Sequence, residues 1–202
     1  MPERFYFYNE FCNYFAAMPG LLNRATSIIH EDAKSILPLV LTDAYNLRAN
    51  LKHWYGQFVA SCNGHTPLFV EVQSITSGNM FPLVYFYDNT LTACLLCTYY
   101  AYLIVINTQI DLLLSSEQYC IENTILARKI CMSVEYCLEA GICGAQSLTL
   151  ALSFALSACE EELRDWIKAS INKFGGFMEI AKCLDVSGQK NRPNLQSSTR
   201  IK

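Results

Sequence analysis

The stretch DNTLTACLLCTYYAYLIVINTQIDLLL, from Asp88 to Leu114, decides the fold. Between Asp88 and Asp111 it holds no charged residue, and its apolar positions fall on every side of a helical projection. A helix that is apolar all round needs apolar neighbours all round. Asp88 or Asn89 stands where a side-chain oxygen can cap its first turn. Either lipid or other helices must enclose it. Asn89 to Ile110 is long enough to span a bilayer, and Ala140 to Cys159 is a second uncharged run. The first run, however, is bordered by two aspartates and no base, so nothing sets an orientation in a membrane. It also contains Asn107 and Gln109. The expectation is the central helix of a water-facing helical array.

Working outward, the other segments read as helices that could enclose it. Phe5 to Met18 is aromatic-rich and is expected to end at Pro19-Gly20. A second helix is expected over Leu21–His30 and a third over Ala33–Ala60, with Pro38 in its first turn or kinking it. Within the third, Leu37, Leu41, Ala44, Leu47, Leu51, Trp54 and Phe58 recur at spacings of three and four, the mark of one buried face. Ser61 to Pro82 holds Gly64, Pro67, Gly78 and Pro82 and reads as a long surface connection, with one short extended piece at Leu68–Val72. Beyond the central helix, Gln118–Ala140 forms the next, with Leu126, Ile130, Val134 and Cys137 as its stripe and Gly141 as its stop. Ser147–Ala158 follows. Glu160, Glu161 and Glu162 open an amphipathic helix whose inner face is Leu163, Trp166, Ile167, Ser170, Ile171 and Phe174, since acids suit the positive end of a helix. Gly175-Gly176 breaks it before a short helix over Phe177–Leu184. No Asn-Gly or Asp-Gly hairpin turn occurs. The expected fold class is all-α, a single domain over residues 1–185 made of seven to nine packed helices, followed by a disordered basic tail at 186–202.

Composition agrees with a packed array. The chain of 202 residues is 52% hydrophobic and 16% charged, which excludes disorder for most of its length. The net charge is −3. The tail from Ser187 carries Lys190, Arg192, Arg200 and Lys202 and no acid, leaving 11 bases against 18 acids in the body. From His53 to Ala127 there is no Lys or Arg. Such a body repels phosphate, so no direct grip on nucleic acid is expected. The ten cysteines lie within apolar helical patterns and no leader-like apolar stretch opens the chain, so they read as reduced thiols in a reducing compartment.

Motifs for chemistry are few. Cys94-x-x-Cys97 places two thiols on one helix face, but a zinc site needs two more ligands and no second pair follows. The three histidines, His30, His53 and His65, have no companions that spacing can assign. No phosphate-binding glycine loop and no nucleophile elbow occurs. The expectation is therefore no catalytic residue, no metal and no cofactor. The tyrosines of the central helix remain, because a buried hydroxyl needs a partner. Tyr99, Tyr100, Tyr102, Cys94, Cys97 and Trp166 are the candidate lining of an apolar ligand pocket.

A family resemblance adds to this reading. The run from Ala127-Arg128-Lys129-Ile130-Cys131 through Ser133, Glu135-Tyr136, Gly141, Gly144, Glu161, Trp166-Ile167 and Gly175-Gly176 resembles the regulatory domain of fungal binuclear-zinc-cluster transcription factors. Met18-Pro19-Gly20-Leu21-Leu22, the Leu47–Phe58 helix and Tyr99-Tyr100-Ala101 fit the same order. The likeness covers roughly residues 15 to 185. It departs from the family in lacking the zinc cluster that reads DNA. The resemblance implies a regulatory or effector domain in control of secondary-metabolite genes, located in nucleus or cytoplasm. It would act through a small-molecule ligand or other transcription factors, as a possible homo- or hetero-dimer, with no nucleic acid or membrane bound directly. The alternative is an enzyme or small-molecule carrier of a biosynthetic pathway that reuses the helical array.

Overall fold

The computed structural model describes residues 2–31, 34–62 and 67–173. The expected Phe177–Leu184 helix, the Gly175-Gly176 break, the basic tail, Phe174 and His65 lie outside the described residues. The structure is 79% helical and 6% strand, so the all-α expectation holds in its broad form. Six helices have both ends defined, fewer than seven to nine: α1 Pro2–Glu31, α2 Leu37–Cys62, α3 Thr90–Leu114, α4 Cys120–Met132, α5 Val134–Glu139 and α6 Ile142–Ala155. Residues 161–173 are helical again. Two strands, β1 Phe69–Gln73 and β2 Leu83–Tyr87, pair antiparallel with Phe69 opposite Tyr87 and Gln73 opposite Leu83.

The central helix is α3. Leu96, Tyr100, Leu103, Ile104, Ile106 and Ile110 are all but sealed from solvent, and α2, α4 and α6 pack around them. Each such side chain contributes roughly 1.5–3 kcal/mol of burial. Its most apolar window is long enough to cross a bilayer by length and composition, yet 78% of that window is buried inside the fold. Asn89 caps it, accepting from the Thr92 N–H at 2.9 Å. Ser115, at φ 50°, ends it in the left-handed region, its N–H donating back to Leu112.

One expected break is absent. Pro19 lies inside α1, which runs through it. Its missing N–H gives up one bond to the preceding turn. The apolar stripe Phe11, Met18, Leu21 and Ala25 is buried on both sides of the proline, so packing offsets a local cost of about 3 kcal/mol. The next helix starts at Ile142, earlier than the expected Ser147. Gly141, at φ 80°, ends α5, but Gly144 lies within α6. Conversely, the single helix expected over Gln118–Ala140 is divided at Ser133, whose hydroxyl donates to the Lys129 carbonyl at 2.9 Å. Its predicted stripe is buried as expected.

The hairpin is the main correction. The extended piece expected at Leu68–Val72 is the strand Phe69–Gln73, and it pairs with Leu83–Tyr87 rather than crossing the surface alone. The turn between the strands is held from a distance. The Glu135 carboxylate on α5 accepts from Ser74 Oγ at 2.6 Å, the Ile75 N–H at 2.8 Å and Asn79 Nδ2 at 3.2 Å. Burial pushes that carboxyl up, but these donors outweigh it and hold it below the usual carboxylate range.

Candidate functional site

The six predicted pocket residues occupy one helix and its surroundings. Tyr99 stacks on Tyr55 with ring centroids 4.6 Å apart and stands 5.9 Å from Trp54. Tyr102, one turn further along, stands against Phe11 and Phe15. Cys94 lines a small cavity of about 150 Å³ with Tyr8, Phe11 and Phe15. Cys97 is buried among Tyr87, Ser133 and Cys137. Trp166 meets Phe81 edge-on at 5.5 Å, near the turn of the hairpin. Their common property is packing.

Tyr87 and Tyr100 show two fates of a buried hydroxyl. Tyr87 Oη lies 2.6 Å from Ser133 Oγ, and because Ser133 already donates to Lys129, Tyr87 is the donor. Tyr100 Oη is enclosed beside the Tyr55 hydroxyl and, among the described residues, makes no well-formed hydrogen bond. Burial, then the charges of Tyr55 and Cys97, push its phenol well above the ordinary value. An unpaired buried donor costs about 1–3 kcal/mol. Tyr100→Phe is therefore expected to stabilise the fold by about 1 kcal/mol, whereas Tyr87→Phe should destabilise it by a similar amount. Urea unfolding of the two variants checks both signs.

A polar junction ties α2, α3 and α4 together. Arg48 on α2 donates through Nε to Asn107 Oδ1 on α3 at 2.7 Å and through Nη2 to Glu122 on α4. Lys52 reaches the other Glu122 oxygen at 2.6 Å, and Asn107 Nδ2 donates to Asn123 Oδ1 at 2.9 Å. Arg48 also lies over the Tyr119 ring at 4.3 Å. Partial burial raises the Glu122 carboxyl, but the bonds and charges of Lys52 and Arg48 outweigh it and bring it below the usual range. Every member has a partner, so this junction fixes helix positions and offers little to a ligand.

A large cavity bounded by described residues lies just beyond that junction. It is a cleft of about 580 Å³ between the C-terminal end of α3, the first turn of α4 and the 3-10 turn at Leu156–Ala158. Its walls include Asp111, Glu117 and Glu160, the hydroxyls of Ser115, Ser116 and Thr124, and no Lys or Arg. Asp111 shapes the wall by accepting from Ser116 Oγ at 2.8 Å and the Tyr119 N–H at 3.1 Å. Thr124 Oγ1 closes the far side by donating to the Ala158 carbonyl at 3.3 Å. Arg164 stands behind it with its guanidinium on the Leu156 and Cys159 carbonyls. Cys120 and Cys159 also line the cleft as free thiols, the second raised by burial.

None of the six predicted residues lines this cleft. The signal that marks it in the sequence is Ser115-Ser116-Glu117-Gln118, a polar turn between two apolar helices. Among the described residues no three His, Cys, Asp or Glu side chains gather as a metal site. Compared with known proteins, the chain matches no family model, no curated protein and no solved structure.

Proposed function

We propose that this chain is a regulatory module of a transcription-factor-like protein that binds a small ligand or a partner and does not read DNA itself. It would work in the nucleus or cytoplasm. The observation that carries the reading is the acid-walled cleft at the ends of α3 and α4. Its volume falls within the roughly 300–1,000 Å³ of ordinary small-molecule sites. Asp111, Glu117 and Glu160 converge on it with no base in the wall, so the ligand class that fits is an organic cation with groups able to meet the hydroxyls.

The mechanism is a population shift. Three elements form the cleft, so a ligand that touches all three binds one relative placement of them better than another. The resemblance of roughly residues 15 to 185 to fungal regulatory domains supplies the biological setting. A carrier of a small basic metabolite is the second reading, favoured by the same cleft volume.

Calorimetric titration with 1,5-diaminopentane tests the site. Saturable binding is expected, with glutarate, a dianion of similar length, not binding. The double change Glu117→Gln and Glu160→Gln should weaken the amine by at least about tenfold, or roughly 1.4 kcal/mol. No binding of the amine, or equal binding of glutarate, removes the cleft from the proposal. Tight, sequence-selective binding of duplex DNA by the chain would contradict the absence of a reader.

A further inference from the structure

Among the described residues, β1 is bonded along one edge and open along the other. Val70 faces Phe86 and Val72 faces Val84, while the Asp88 N–H donates to the Leu68 carbonyl and the Ser74 N–H to the Pro82 carbonyl. Antiparallel ladders alternate, so residues 68, 70, 72 and 74 turn their backbone groups toward β2. Phe69, Glu71 and Gln73 turn theirs outward, where no described residue bonds them. It is chiefly β2 that lies against α5, α3 and α4.

Open edges of this kind are normally blunted with Lys, Pro or a bulge. β1 has none of these. Val70 and Val72 are exposed on the same face as Phe86, and Ile75, just past the strand, is 80% exposed. On that face a hollow of about 190 Å³ opens between the hairpin and α5, lined by Val72, Val84, Phe86 and Tyr136. On the opposite face stands Glu71. Across β1, the turn, β2 and α5 the charged residues are Glu71, Glu135 and Glu139, with no Lys or Arg. Glu135 is already engaged by the turn.

We propose that the outer edge of β1 is a docking site for an extended segment of a partner protein in which apolar and basic residues alternate. The segment would add a third strand, its backbone bonding Phe69, Glu71 and Gln73. Its apolar side chains lie beside Val70 and Val72 at the rim of the hollow. A Lys or Arg between them stands beside Glu71, as an opposite-charge cross-strand pair. Charge selects this occupant over a second copy of the chain, whose β1 would bring another Glu71 to the edge with no base to answer it.

The probe is a fluorescein-labelled peptide of about eight residues, a strand's length, alternating Lys and Val. Its anisotropy is followed as the full chain is added. Saturable binding is expected, with a Glu-Val alternating peptide at least about tenfold weaker. Gln73→Pro deletes one outward N–H and spares the ladder to β2, so it should weaken the Lys-Val peptide by at least about tenfold while the circular dichroism stays unchanged. Glu71→Lys should reverse the preference between the two peptides. Binding untouched by both substitutions overturns the proposal. So does a chain dimer that Gln73→Pro dissociates, because the edge then belongs to a second copy.

Discussion

Trp54→Ala is expected to cost about 3–5 kcal/mol, the range for removing a large aromatic from a packed core. Trp54 is fully enclosed on α2. Its ring stacks on Phe58 at 5.3 Å and leans on Phe11 at 4.7 Å and Tyr99 at 5.9 Å, so it is the common wall of α1, α2 and α3. Its indole N–H donates to the Phe7 carbonyl at 3.0 Å, the one polar tie from α2 to the first turns of α1 given by the ring itself. Alanine removes the ring and its bond to that carbonyl, which keeps only its partner within α1. The loss should therefore be uneven. Hydrogen exchange is expected to speed up first in α1 around Phe7 and Phe11, before the α3–α4 junction at Asn107 and Glu122 opens. Phe at position 54 keeps most of the ring and should recover more than half of the loss. Equal exchange in α1 for wild type and Trp54→Ala would show that the ring does not hold α1.

What could be read directly from the chain was the part governed by local spacing. The α2 face from Leu47 to Phe58 and the stripe Leu126, Ile130, Val134 and Cys137 needed only the helical repeat, and all of these residues are buried. Asn89 announced its cap because a short polar side chain before an apolar run has few other uses. Pro19 misled because the rule it obeys is local, while the forces that override it are the tertiary contacts of Met18, Leu21 and Ala25. The hairpin was half hidden for a related reason. Leu83–Tyr87 is a continuous apolar run without the two-residue turn that marks a tight hairpin. Its turn is shaped by Glu135, more than fifty residues away in sequence. The site was the least legible. Tyr99, Tyr100 and Cys97 stand out by their chemistry, and the helix that carries them is the core of the fold. Asp111, Glu117 and Glu160 looked like ordinary solvated acids, and only the placement of α3, α4 and the 3-10 turn makes them face one cleft.

Gly144→Val should be nearly as damaging as the loss of Trp54, for the opposite reason. A Cβ at position 144 would fall 2.6 Å from the Cys137 carbonyl oxygen and 3.2 Å from its carbonyl carbon and Cα. These are backbone atoms of α5, so no side-chain rotation can make room. Either α5 moves away from α6 or the first turn of α6 unwinds. Overpacking of this kind costs about 1–3 kcal/mol, and valine's branched side chain places the substitution at the upper end. The displacement has a chemical reporter, because Cys137 and Cys97 are buried together in the α3–α5 seam. In the wild type, Cys12 and Cys120 are exposed and should be modified rapidly by a maleimide, with Cys97, Cys131 and Cys137 modified only on unfolding. In Gly144→Val, Cys137 and Cys97 should become reactive under native conditions while Cys131, set in α4, stays protected. Peptide mapping after a short exposure to the reagent distinguishes the two cases. Gly144→Ala should show the same pattern with a smaller loss of stability. If both variants keep Cys97 and Cys137 protected and unfold at the wild-type urea midpoint, α5 and α6 do not approach as closely at Gly144 as the structure has them.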